Sequence, residues 1–318
     1  MRKLRFQLIA LIAGLASASA SLAATRLGEG VLVNDAQTLA YAVTPAGSLE
    51  AIDLNDGRIL WTSAERAWPL DVADGRLWAI AQGVQRGTGV LLAIDPADGQ
   101  IRDRIAFDVP EQVDTSAEPR WYRRFQARLA EEGGRKRVYW HFWSAPKRGA
   151  LIQEEGETGA AAQGVREVIG AFDIEVAAGQ IYAVPVRQSV EFPLDPAAQL
   201  AAGERLPNLA GLQYRAADEA EVLVSEPRAD AVYGRLYRWQ FHSRSGGSAL
   251  GSFDYPLAYA PFLSTGGQVL VRAGAIGFDA GNGWEERPVR LLSIDLASGR
   301  ERWSVPLYDT QPNGAMPP

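Results

Sequence analysis

Short apolar runs broken by Asp- and Gly-bearing turns recur along this chain. Three stretches are nearly the same: LEAIDLNDGRILW from Leu49 to Trp61, LLAIDPADGQIRD from Leu91 to Asp103, and LLSIDLASGRERW from Leu291 to Trp303. In each, one strand-like run leads into a polar turn and a second run follows it. Gly57, Gly99 and Gly299 share one position, where a tight hairpin turn demands positive φ. Asp53, Asp95 and Asp295 enter the turn, where a carboxylate accepts backbone N–H groups. Each copy therefore predicts a β-hairpin, and these three aspartates read as turn caps, not catalysts.

Further hairpin signals lie at Val72–Ala81 (VADGRLWAIA), Val176–Val186 (VAAGQIYAVPV) and Ser264–Ala273 (STGGQVLVRA). Two hairpins per repeat make a four-stranded antiparallel unit. Turns fall near Ala36, Gly75, Gly134, Gly179, Ala220 and Gly267, spaced by 39, 59, 45, 41 and 47 residues. Four strands on such a period predict an all-β fold, a β-propeller of four-stranded antiparallel blades. Six blades fit the spacing best and seven remain compatible with it. The long spacing holds SAEPRWYRRFQARLAEEGG, from Ser116 to Gly134. Trp121, Phe125 and Leu129 recur every fourth residue, Pro119 suits a first helical turn and Gly133 an end. The stretch predicts one helical insertion near 116–133.

The copies AIDLNDGRILW and SIDLASGRERW resemble the repeat of the pyrroloquinoline-quinone-type β-propeller family. That resemblance implies a propeller in which Trp61 and Trp303 dock between neighbouring blades. The second copy carries Asp103 at that place. The likeness is weak in WQFHSRSGGSALGSF (Trp239 to Phe253) and faint between Arg104 and Arg235. The enzymes of the family have more blades, a calcium site and often adjacent cysteines. This chain has 318 residues and no cysteine, so the resemblance points more to the family's non-catalytic scaffold members than to its dehydrogenases.

The start of the chain reads differently. Arg2, Lys3 and Arg5 precede an apolar stretch from Phe6 to Ala16, and small residues follow, with Ser21 and Ala23 suited to the −3 and −1 positions. This pattern predicts a signal peptide over residues 1–23, cleaved to leave a mature start near Ala24. A single propeller domain over 24–312 and a flexible tail over 313–318 complete the organisation. Without a cysteine neither lipid attachment nor a disulfide is available. The expected location is periplasmic or secreted, as a soluble monomer. The net charge of −6, with no basic stripe, makes the chain a poor candidate for binding nucleic acid or an anionic membrane surface, and neither nucleic acid nor membrane insertion of the mature chain is expected.

Chemistry-bearing motifs are sparse. The two histidines, His141 and His242, do not make a zinc set without cysteine. No G-x-S-x-G elbow or P-loop is present. No catalytic residue, metal ligand or cofactor is assigned. The leading expectation is a non-catalytic scaffold or accessory protein with protein partners. The alternatives are a small-molecule, sugar-binding or hydrolytic propeller acting at its central pocket, and a quinoprotein dehydrogenase. Arg and Trp dominate interface energies, so Trp121, Arg124, Arg128 and Trp284 are the candidate partner-binding residues.

Overall fold

The computed structural model describes residues 24–83, 87–111, 113, 121–146, 166–193, 211–215, 220–225, 227–243, 247–258, 260–281 and 283–308. The segments expected to be a signal peptide, residues 1–23, and a C-terminal tail, residues 313–318, lie outside the described residues. The described residues form an all-β structure of antiparallel sheets.

Five units follow one another, each built on a four-stranded antiparallel ladder, with β1 added at the edge of the first and β15 at the side of the fourth. Unit 1 contains β1 (Thr25–Arg26), β2 (Val31–Val33), β3 (Leu39–Val43), β4 (Ser48–Asp53) and the first part of β5 (Ile59–Ala73). The rest of β5 continues into unit 2, with β6 (Arg76–Ala81), β7 (Thr88–Ile94) and β8 (Ile101–Asp108). Unit 3 is β9 (Trp121–Glu132), β10 (Arg135–Pro146), β11 (Arg166–Ala177) and β12 (Gln180–Pro185). Unit 4 holds β13 (Gly211–Arg215), β14 (Ala220–Ser225), β15 (Arg228–Asp230), β16 (Gly234–Ser243) and β17 (Ala249–Tyr255), with β15 a short side pairing on β16. Unit 5 runs through β18 (Phe262–Thr265) and β19 (Gln268–Ala273), then a separate hairpin of β20 (Ile276–Asp279) and β21 (Trp284–Arg287), then β22 (Arg290–Asp295) and β23 (Glu301–Pro306).

These units are propeller blades, packed face to face through four apolar clusters. One joins units 1 and 2 through Tyr41, Leu49, Leu77 and Leu92. Another joins units 2 and 3 through Trp78, Phe107, Trp140 and Phe172. Unit 5 packs on unit 1 through Leu270, Leu291, Ile52 and Leu54, and unit 4 on unit 5 through Trp239, Phe241, Val271 and Ile294. The spatial order is therefore 3–2–1–5–4. The last blade returns to the first, and the Tyr308 N–H bonds to the Val43 carbonyl at 2.8 Å.

One turn construction repeats in four units. The Gly57 N–H reaches the Asp53 carbonyl, Gly99 reaches Asp95, Gly299 reaches Asp295, and Gly247 reaches Ser243, all at 2.8–2.9 Å. The ladder slips by a residue just before each of these turns. A bulge at one fixed place aims each outer strand the same way. Unit 4 thus carries a fourth copy, with Ser243 standing where the others have aspartate. Asp95 and Asp295 each also bind an arginine seven residues on, Arg102 at 2.8 Å and Arg302 at 2.6 Å. These guanidinium hydrogen bonds hold both carboxyls below the usual range.

The copies dock in a chain. The Trp61 ring of unit 1 lies against Gly99 of unit 2, where an added Cβ would fall 2.5 Å from it. The Trp303 ring of unit 5 lies in the same way against Gly57 of unit 1, at 2.7 Å. In unit 4 the corresponding position, four residues after the turn glycine, is Gly251. A Cβ there would sit 2.5 Å from the Leu296 carbonyl and 2.7 Å from the Gly299 nitrogen of unit 5. Ring-on-glycine contact becomes backbone-on-backbone contact at that joint.

The expected helix is corrected. Residues 121–132 form β9, paired residue by residue with β10 from Trp121↔Pro146 to Glu132↔Arg135. A four-residue spacing is a multiple of two, so Phe125 and Leu129 share one strand face just as they would one helix face. Phe125, Ala127 and Leu129 pack against the cluster between units 2 and 3. Gly133 and Gly134, at φ 57° and 76°, make the hairpin turn into β10. The Val176–Val186 hairpin joins the last two strands of unit 3 rather than the first two, and Ala220 opens β14 instead of lying in a turn. A sixth blade is not present among the described residues.

Closure of unit 5 on unit 1 has a polar lock. The buried Gln268 side chain donates to the Leu54 carbonyl at 2.9 Å and accepts the Ser293 hydroxyl. Replacing Gln268 by leucine keeps the volume but strands both partners away from water. A loss of about 2–4 kcal/mol is expected in urea denaturation. Adding Ser293→Ala should recover about 1 kcal/mol of it, because one orphaned group disappears.

Candidate functional site

The first strands of neighbouring units and the turn after β1 converge on a small cleft. Arg26, Glu29, Trp68, Leu70, Arg124 and Arg128 are among its lining residues, and its volume is about 70 Å³. Alternation along β9 explains how one strand serves both core and cleft. Odd-numbered Phe125, Ala127 and Leu129 turn to the apolar cluster, while even-numbered Arg124, Gln126 and Arg128 take the other side.

Glu29 is the hub. Its carboxylate accepts hydrogen bonds from the Arg124 guanidinium and the Gln126 amide of unit 3. Its own carbonyl accepts from Arg272 Nε of unit 5 at 3.0 Å. The short turn before β2 therefore ties unit 1 to units 3 and 5. Arg26 donates to the Leu70 carbonyl of unit 2 at 2.8 Å. Arg128 donates to the Pro193 carbonyl at 2.5 Å, and its guanidinium lies 5.0 Å from the Phe192 ring centre. The lining residues include three guanidinium groups and one carboxylate, in a chain whose net charge is −6.

Asp71 follows Leu70 in β5. Burial is the main influence on it and pushes its carboxyl up to about 6, against the lowering effect of its bond from the Val72 N–H and the charge of Arg26. A raised carboxyl favours the folded state while protonated, so its contribution falls as pH rises from about 4 through about 6. Asp71→Asn should therefore be more stable than the parent at about pH 8, by on the order of 2 kcal/mol after allowance for partial solvent access. The two proteins should converge near pH 4. Urea midpoints at the two pH values check this, and an equal gap at both would contradict it.

The candidate residues from sequence fall in two places. Arg124 and Arg128 meet at the cleft on unit 3. Arg124 is exposed, with 46% of its side chain accessible, whereas Arg128 is half-buried and packs on Phe192. Trp121 lies on β9 and Trp284 on β21, and both side chains are outside the described residues. The β20–β21 hairpin packs on unit 4, where Arg287 lies over the Tyr233 ring and the Asp279 N–H bonds to the Val232 carbonyl. Asp53, Asp95 and Asp295 sit in their turns and accept the backbone N–H groups of Asn55, Ala97 and Ser298. His141 is in unit 3, beside Glu167 at 2.8 Å, and His242 is in unit 4. Among the described residues no three His, Cys, Asp or Glu side chains gather into a metal-binding group.

Sequence reasoning passed over Arg26, Glu29, Trp68 and Gln126. Glu29 lies 95 residues from Arg124 along the chain. No local pattern joins them, and only blade packing brings them together.

Blades of this construction, with tryptophan docked on the turn glycine of the next, define a propeller of the quinoprotein repeat type. Residues 16–184 match the family model described as outer membrane protein assembly factor BamB. That span covers just over half of the 318 residues, and the chain belongs to this family. A search of curated proteins returned no match. Among solved structures, the chain is similar to the quinohemoprotein alcohol dehydrogenase from Comamonas testosteroni, at 12% identity and a TM-score of 0.23. The alignment covers 87% of this chain and 59% of that one. No helix among the described residues is long and apolar enough to cross a membrane.

Proposed function

We propose that this protein is an exported, soluble, non-catalytic β-propeller scaffold that holds protein partners in the periplasm or outside the cell. The observation that carries the reading is the family match over residues 16–184, whose description is that of an assembly factor. The geometry supports it. Blades tied by tryptophan-on-glycine contacts and a buried glutamine lock make a rigid platform, and rigid platforms bind with little ordering cost. Arg124 is presented at an opening where several blades meet, and arginine is among the residue types that anchor interfaces. An N-terminal signal of the Arg2–Ala23 kind supports the location.

The competing activity for a propeller of this repeat type is quinone-dependent oxidation. Mature protein incubated with pyrroloquinoline quinone and calcium, and assayed with a dye acceptor on alcohols and sugars, should show no turnover above the protein-free control. Saturable turnover that requires both additions would overturn the scaffold reading.

A further inference from the structure

The carboxylate of Glu29 occupies a place built for an anion. Arg124 and Gln126 both donate to it, from alternate positions on one face of β9. Two further guanidinium groups, Arg26 and Arg128, line the same cleft. The cleft volume of about 70 Å³ is far below the ~300–1,000 Å³ that encloses a drug-sized molecule. It suits a carboxylate side chain. The Glu29–Arg124 pair is also open to solvent, with 28% and 46% of the two side chains accessible. An exchange of carboxylates there need not break the core, and exposed pairs of this kind are weak.

We infer that Arg124 and Gln126 form a carboxylate-recognition subsite for an acidic peptide segment of a protein partner, and that Glu29 is its internal competitor. The inference rests on the scaffold reading for its partner class. The incoming carboxylate takes the two donors, and the Glu29 side chain turns out to water. The turn before β2 keeps its place through the backbone bond from Arg272. Two converging donors, one of them charged, supply selectivity for carboxylate over neutral amide, and the exposed Arg124 guanidinium favours encounter with an acidic segment.

The test uses the full mature chain and fluorescein-labelled hexaglutamate, with hexaglutamine and hexalysine as controls, read by anisotropy at low salt. Wild-type protein should bind hexaglutamate, weaken as salt rises, and ignore both controls. Glu29→Gln should bind hexaglutamate about threefold more tightly, because the competitor has lost its charge. Arg124→Gln should bind about tenfold more weakly. A purely structural role for Glu29 predicts the opposite sign for its variant, so equal or weaker binding by folded Glu29→Gln overturns the inference. If that variant does not fold, wild type and Arg124→Gln decide: unchanged binding by Arg124→Gln, or equal binding of hexaglutamine by wild type, overturns it too. Quinone-dependent turnover would sink the scaffold reading and leave these peptide results standing, so the two failures are distinguishable.

Discussion

Replacing Trp61 by alanine is expected to cost about 3–5 kcal/mol of stability, the range for deletion of a large buried aromatic side chain. The ring is 9% exposed and wedged between unit 1 and unit 2. One face meets Gly99, its ring centre is 5.8 Å from that of Tyr41, and its Nε1–H donates to the Pro96 carbonyl at 2.9 Å. Truncation removes all three contacts and leaves the Pro96 carbonyl without its donor. The blade interface cannot collapse to fill the gap, because strands on both sides are fixed by their ladders. Leu60→Ala, one residue away but 44% exposed, should cost under about 1 kcal/mol. Urea denaturation followed by circular dichroism separates the two, and equal losses would contradict blade docking through Trp61.

The larger effect is expected where the repeat departs from its own pattern. Tryptophan occupies the position four residues after the turn glycine in units 1 and 5, so installing it in unit 4 as Gly251→Trp resembles a consensus repair. The structure predicts the reverse. Even Gly251→Ala places a Cβ 2.5 Å from the Leu296 carbonyl oxygen and 2.7 Å from the Gly299 nitrogen. These are backbone atoms of a bulged hairpin, not the tip of a flexible side chain. At the partner position Gly299 is at φ 69°, and a Cβ there would lie 1.9 Å from the Ser252 carbonyl oxygen. Relief demands separation of units 4 and 5 across the cluster of Trp239, Phe241 and Val271. Gly251→Ala should lose more than about 3 kcal/mol, and Gly251→Trp should fail to reach the native state. A thermal midpoint for Gly251→Ala equal to that of the parent would refute the backbone docking described at this joint.

The same joint shows what the sequence made legible and what it hid. Hairpins at Gly57, Gly99 and Gly299 stand out because turn chemistry and strand pattern are local. The unit 4 copy was faint because Ser243 replaces the aspartate and Gly251 the tryptophan, although bulge, turn bonds and docking position are all retained. Trp121, Phe125 and Leu129 misled for a different reason: their spacing satisfies helix and strand periods alike. The paired runs Tyr122–Leu129 and Val138–Ala145 decide between them, and pairing is not visible in one strand alone. At the cleft, Arg124 and Arg128 were chosen for their residue type. Glu29, the partner of Arg124, and the neighbouring Gln126 carry no local signal, since the first is supplied by another blade.

The scaffold account is tested most directly by quantitative co-purification of the mature chain from an extracytoplasmic fraction, wild type against Arg124→Ala, with both confirmed folded. The account predicts one protein recovered at near one-to-one ratio with the wild type, and reduced at least about tenfold with the variant. Recovery of the same proteins in the same amounts with both forms, or of none with either, would contradict it.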